Sequence, residues 1–193
     1  MKSHNVLFEM MLCALFAAIL CICSPISVPV GPVPLTLGVF AVMLCAVTLP
    51  LRPAMISIVI YLVLGLFLPV FSGGRTGLTA MTGVTGGYIW SYLLMVPVIR
   101  VFAAIPMKRR ILRYAMTLLG CVLAMGICYL LGTVQFVLIS GSTAEHALTV
   151  CVIPFLLPDL IKALAAAVLG LVLRGLLDRM GLGIFPEKTA RTS

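Results

Sequence analysis

Polar positions are sparse along this chain, and between them run six apolar stretches: 6–23, 36–51, 54–71, 79–101, 111–139 and 150–177. A helix needs about 20 apolar residues to cross the hydrocarbon core of a membrane. The pattern therefore predicts an all-α integral membrane protein, one domain over 1–193 folded as a six-transmembrane-helix bundle. The second stretch is short, whereas the fourth and fifth are long enough to tilt or to carry interfacial turns. The first stretch, after Lys2, has the outline of a signal peptide. Five further stretches follow it, so it reads as a retained first helix. No inverted repeat and no soluble domain stands out, and the end of the chain after Met180 reads as a short, disordered polar tail.

Composition agrees with the pattern. Hydrophobic residues make up 63% of the chain and charged residues 9%, against about a quarter charged in a soluble domain. In a soluble chain the net charge of +8 would suggest nucleic acid. Here no aromatic residues alternate with basic ones as in RNA-binding proteins, and the charge reads as loops facing anionic headgroups. With the N-terminus inside, strict alternation of spans sends Lys2, Arg52, Arg100, Lys108, Arg109, Arg110, Arg113, Arg174, Arg179, Lys188 and Arg191 to the inner side. Of the 13 Lys and Arg only Arg75 falls outside and Lys162 within a span. Both termini are thus expected to be cytoplasmic. The inner run Lys108–Arg113 reads as a headgroup anchor, with docking of an acidic partner as the alternative.

Little in the chain suggests catalysis. The seven cysteines lie in or beside apolar stretches and read as small core residues. His4 and His146 are remote from one another and from the cysteines, so no metal site is expected. No nucleophile–base pair or paired carboxylates occupy one span. No Gly-Lys-Ser/Thr follows the glycines, so a phosphate-binding loop is excluded and the chain cannot itself hydrolyse ATP.

Three features carry candidate binding chemistry. The outer connection SPISVPVGPVPLT, residues 24–36, holds Pro25, Pro29, Pro32 and Pro34. Such a proline content stiffens a segment, so this is either a plain connector or a lid over an outer pocket. The stretch FSGGRTGLTAMTGVTGGYIWSY, residues 71–92, is rich in glycine, which allows helices or ligands to approach closely. Within it Tyr88 and Trp90 offer flat walls with polar tips, and Arg75 is a cation able to attract an anionic solute. The third feature is FLLPDLIKA, residues 155–163. Asp159 and Lys162 share one helix face and lie 15 and 12 residues before Arg174. That places them about 22 and 18 Å above it, in the outer half of the membrane. Charges there are costly, about 2.5–3.5 kcal/mol each on insertion scales. They mark either a structural ion pair or a binding site for a small amphipathic solute with an anionic end and a polar N–H end.

The stretches GPVPLT (31–36), LPVFSGGRTGL (68–78), TGGYIW (85–90) and PDLIKA (158–163) together resemble the BioY family, the biotin-binding membrane subunits (S components) of energy-coupling-factor (ECF) transporters. One departure is GVTGGY, with Val84 where the family usually has proline. The resemblance covers nearly the whole chain. It implies an S-component fold in the cell membrane of a prokaryote, with an outward-facing biotin pocket and no cofactor. It implies a transmembrane coupling protein and two cytoplasmic ATPases as partners, and toppling of the subunit during transport. In its terms Asp159 accepts a ureido N–H, Lys162 pairs with the valerate carboxylate, and Tyr88 lines the ring. Gly86 and Gly87 permit close approach, and Thr82, Arg75 and the loop 32–36, ending at Thr36, stand in a second tier. Because three residues rise only about 4.5 Å, Asp159 and Lys162 could also serve one end of the ligand. The small residues Ala14, Ala17 and Ala18 of the first span form the implied contact with the coupling protein, or else pack within the subunit. An S component for another vitamin, a stand-alone secondary carrier and an intramembrane enzyme are the competing readings.

Overall fold

The computed structural model describes residues 2–180, with side chains from Val6 onward. The predicted polar tail, with Lys188 and Arg191, lies outside the described residues, as do the side chains of Lys2 and His4. Helix α1 spans Lys2–Cys23. Strands β1 (Ser27–Pro29) and β2 (Pro34–Thr36) follow, then α2 (Gly38–Thr48) and α3 (Leu51–Phe67). Next come α4 (Gly77–Thr82), α5 (Gly86–Ala104), α6 (Arg110–Ser140), α7 (Ala144–Cys151) and α8 (Leu156–Arg179). Four helical segments are long and apolar enough to cross a membrane: Val6–Cys23, Gly86–Ala104, Arg110–Ser140 and the α7–α8 segment Ala144–Arg179. The chain is a membrane-embedded, multi-pass protein.

The solvent of this fold is visible in its surface. Leu138, Ile161, Leu130 and Leu164 stand more than half exposed on α6 and α8, as they must if hydrocarbon surrounds them. The core is built around α2, in which Ala41, Val42, Met43, Cys45, Ala46 and Val47 are fully buried. A helix apolar on every side belongs in the interior. At 11 residues it is about 16 Å long, so it stops well short of the hydrocarbon thickness. Its neighbours α1, α3, α5 and α8 surround it. Gly170 lets α8 come against it, since a Cβ there would lie 2.6 Å from the Val47 side chain. This packing fixes the position of α8, and with it the two membrane charges. All seven cysteines are free thiols, and Cys45, Cys121, Cys128 and Cys151 are buried among apolar neighbours.

The structure departs from the apolar pattern in three places. The all-α expectation gives way at residues 24–36, where the proline-rich connection forms an antiparallel ribbon with Ser27 opposite Thr36, Val28 opposite Leu35 and Pro29 opposite Pro34. Proline cannot donate to a ladder, but it is tolerated in a two-stranded edge ribbon. The stretch predicted as one helix from 79 to 101 is broken at 83–85. Gln135 of α6 holds this break by donating to the carbonyls of Met81 (3.0 Å) and Gly83 (2.8 Å). The Trp90 indole also donates to Met81, at 3.2 Å. Carbonyls at a helix end need such partners, and irregular backbone at membrane depth survives only where protein encloses it.

The third departure lies in the stretch 150–177. Helix α7 ends at Cys151, a single 3₁₀ turn covers Ile153–Phe155, and α8 begins only at Leu156. Two prolines explain the interruption. Pro154 lies in the 3₁₀ turn, and Pro158 falls in the first turn of α8, where a missing N–H costs nothing. Asp159 is thereby brought into that first turn as well, where a carboxylate suits the positive end of the helix dipole.

Candidate binding site

The breaks in the helices converge. The ribbon, the 83–85 break and the start of α8 meet at one end of the bundle, around a cavity enclosing about 590 Å³ counted out to its mouth. Val33, Leu35 and Thr36 of the ribbon form one side. Tyr61 of α3, Tyr88, Ile89 and Tyr92 of α5, and Cys128 and Tyr129 of α6 form the walls, with Asp159 and Lys162 of α8 at the charged place. The lining is thus largely apolar and aromatic, with a few converging polar groups.

The two charges meet in a short chain of hydrogen bonds. Lys162 Nζ donates to Asp159 Oδ1 at 2.8 Å, and their side chains are only 11% and 5% exposed. The other carboxylate oxygen, Oδ2, accepts from the Tyr129 hydroxyl at 2.8 Å. Lys162 also donates to the backbone carbonyl of Thr36 at 2.7 Å, tying β2 to α8. An ammonium has three donors and a carboxylate about four acceptor sites. Each member of the pair therefore keeps capacity for a ligand after these bonds are made.

The aromatic walls are set by small residues behind them. Tyr88 lies against Gly132 of α6, where any Cβ would run into its ring, and its hydroxyl donates to the Cys151 carbonyl at 3.1 Å. Tyr61 meets Phe71 edge-on, ring centroids 5.6 Å apart, in the room that Gly65 leaves for the Phe71 ring. Gly38 admits the Ser24 and Tyr92 hydroxyls, which would lie 2.7 and 2.8 Å from a Cβ there. The buried hydroxyl of Ser72, which lines the cavity, makes no hydrogen bond of ordinary geometry. A buried polar group without a partner calls for an explanation, and a polar ligand in the cavity supplies one.

Among the residues singled out in the sequence, the structure brings Asp159, Lys162, Tyr88 and Thr36 together, the last through its main-chain oxygen. Gly86 and Gly87 are buried at the start of α5, but what approaches them is backbone. A Cβ on Gly86 would meet the Met81 carbonyl, and one on Gly87 the Leu131 carbonyl. Thr82 is exposed and bonds to the Leu78 carbonyl at 2.8 Å. Arg75 is exposed in the turn before α4. Neither of the two lines the cavity, and Trp90 does not line it either. Val84 is half-buried against a cluster of Val33, Phe136 and Phe155. The alanines of α1 divide, Ala17 being buried while Ala14 and Ala18 face outward.

Sequence reasoning passed over Tyr61, Tyr92, Tyr129, Ser24 and Ser72. A signal was available. The chain has five tyrosines, and all but Tyr114 line this cavity. Tyrosine in membrane proteins otherwise favours the interfacial belt.

Comparison with known proteins agrees with this architecture. The model of the BioY family matches residues 1–179. A probable biotin transporter BioY of Pyrococcus horikoshii is 36% identical over 168 residues, which cover 86% of this chain and 96% of the relative. The biotin transporter BioY2 of Lactococcus lactis is 32% identical over 172 residues, 89% of this chain and 92% of the relative. The biotin transporter BioY of Thermotoga maritima is 36% identical over 164 residues, 84% and 93% of the two chains. In fold, the chain is similar to a crystal structure of the S-component for biotin from an ECF-type ABC transporter, with a TM-score of 0.72, 24% identity and 92% of each chain covered. A family match over almost the whole length, with relatives of comparable size, shows that the chain belongs to the BioY family.

Proposed function

We propose that the chain is the biotin-capturing subunit of a biotin uptake transporter, and that the Asp159–Lys162–Tyr129 group is the polar centre of its site. The observation that carries this reading is an ion pair with spare hydrogen-bonding capacity, set in an otherwise aromatic cavity. Biotin suits such a cavity. Its thiophane is apolar, and its ureido head places N–H donors beside a carbonyl acceptor. Asp159 and Lys162 offer an acceptor and a donor side by side, in contact at 2.8 Å. That closeness supports a single ligand end meeting both, with a ureido N–H to Asp159 and the ureido oxygen to Lys162. The valerate carboxylate then points elsewhere, in contrast to the division of the pair between the two ends of biotin.

Titration calorimetry with biotin and its methyl ester tests this assignment. Lys162→Ala is expected to weaken both ligands equally, by about tenfold or more, the worth of one charge-assisted hydrogen bond. Selective loss of the preference for the free acid would assign Lys162 to the valerate. A purified protein retaining another vitamin and ignoring biotin would overturn the reading altogether.

In this proposal the apolar segments form six spans, with α4–α5 and α7–α8 counted as interrupted single spans and both termini cytoplasmic in a prokaryotic cell membrane. The clustering of arginines at the ends of α5 and α8 and the start of α6 supports that orientation. Transport is driven by ATP hydrolysis on two partner ATPases, through a transmembrane coupling protein. The outward face of Ala14 and Ala18 suits close approach of a partner helix. Ala14→Trp and Ala18→Trp are expected to abolish uptake in cells while leaving biotin binding by the purified subunit within about twofold of wild type, as for surface changes. Ala17→Trp, on the buried side, is expected to lower yield and thermal stability instead. Loss of binding in the first two variants would assign that face to internal packing.

A further inference from the structure

Arg100 lies near the end of α5 remote from the cavity, eight residues beyond Tyr92 and so about 12 Å further along the helix. It is 9% exposed, and a guanidinium carries five N–H donors. One of its nitrogens, Nη1, makes a long contact of 3.5 Å to the Val47 carbonyl. Its buried Nε has no partner. Arg174 of α8, whose Nη1 donates to the Ala103 carbonyl at 3.2 Å three residues further along α5, and Arg113 of α6 both repel it. Asp178 attracts Arg174, and among the described residues no carboxylate is ion-paired with Arg100. The Val47 carbonyl belongs to the last turn of α2, and a cation there opposes the negative end of that helix dipole. The dipole accounts for one arginine at this place. It does not account for the orphaned Nε, nor for a second arginine, Arg113, that repels the first. A buried charge calls for a counter-charge, and the described residues supply none to Arg100.

We propose that Arg100, Arg113 and Arg174 form a binding site for the phosphate of an anionic phospholipid, at the end of the bundle opposite the cavity. The fork of a guanidinium matches phosphate oxygens in bidentate geometry, and basic pockets between membrane helices hold anionic headgroups. Lipid rather than an acidic protein segment is favoured by what flanks each arginine. Val101, Leu112 and Leu173, their sequence neighbours, are 64%, 44% and 38% exposed and offer apolar surface to acyl chains. Lys108, Arg109 and Arg110 follow in the same connection and raise the local concentration of anionic lipid.

The test uses the full chain in neutral detergent micelles doped with palmitoyl-oleoyl phosphatidylglycerol, the same-chain phosphatidylcholine, inorganic phosphate or a polyglutamate peptide. Bound species are read by native mass spectrometry, and protection by the midpoint of thermal unfolding. One phosphatidylglycerol per protein is expected, bound at least about tenfold more weakly in Arg100→Gln, the cost of one charge-assisted hydrogen bond. Arg113→Gln, at a half-exposed position, keeps the test alive if the first variant does not fold. It is expected to lose lipid affinity while retaining ligand binding in the cavity. Equal lipid retention by Arg113→Gln and wild type would overturn the proposal, as would equal retention of phosphatidylcholine. Equal protection by inorganic phosphate would show that no lipid is required and overturn it too. Displacement of the lipid by polyglutamate at equal charge concentration would assign the arginines to an acidic protein partner instead.

Discussion

Asp159→Ala is expected to reduce biotin affinity by more than about a hundredfold and to lower the thermal stability of the ligand-free subunit. Two effects act together. The ligand loses an ionic acceptor, and hydrogen bonds to charged groups contribute about 1.5–3 kcal/mol each. The substitution also leaves Lys162 buried, with the Thr36 carbonyl as its remaining partner, and removes the acceptor of the Tyr129 hydroxyl. Breaking a buried pair by deleting one partner costs about 3–5 kcal/mol. The double variant Asp159→Ala with Lys162→Met removes the stranded charge and is expected to recover stability without recovering affinity. Fluorescence-detected size-exclusion after heating, together with titration calorimetry, separates the two effects. Recovery of binding in the double variant would refute a direct role for the carboxylate.

The second large effect is expected at Gly132, a residue that does not touch the cavity itself. Its missing side chain is the space that the Tyr88 ring occupies. Gly132→Ala must push that ring toward the cavity or push α6 away from α5, and overpacking of this kind costs about 1–3 kcal/mol. The displaced ring would also strain the bond from Tyr88 to the Cys151 carbonyl, which ties α5 to the end of α7. Affinity for biotin should fall at least about tenfold, the equivalent of the lower end of that cost. In a Tyr88→Ala background the same methyl group has room and should cost little, so a double-mutant cycle is expected to show coupling of about 1–3 kcal/mol. Additive effects would mean that Gly132 matters for a reason other than the ring.

These two sites differ in how far they could be read from the sequence. Asp159 and Lys162 were conspicuous because charge is rare in an apolar stretch and because three residues of helix put them on one face. Gly132 had no such mark, since a glycine in a membrane helix is common and its value depends on which ring it faces. The helical breaks were equally hidden. Hydropathy averages over 83–85 and over 151–155 without seeing that Gln135 stands ready to bond to stranded carbonyls, or that Pro154 and Pro158 end one helix and start the next. Tyr129 illustrates a related limit. Its hydroxyl meets Asp159 across 30 positions of sequence, a relation set by the crossing of α6 and α8 and not by any local pattern. Where the sequence was most informative, it spoke through residues whose presence in hydrocarbon demanded a reason.

The bond from Lys162 to the Thr36 carbonyl has a kinetic consequence. The ammonium that borders the ligand also fastens the ribbon above it, so the cover and the floor of the cavity share one proton donor. Opening the ribbon breaks a bond to an ion in a place from which water is largely excluded, and a ligand that stays lets the bond re-form. A solute entering and a solute leaving must both pass while the ribbon is open, so the fastening slows exchange in both directions and shifts affinity only as far as the ligand itself strengthens it. Residence time then becomes the quantity that the ribbon sets, while affinity stays with the contacts in the cavity. A subunit that captures a scarce solute has use for a slow exit.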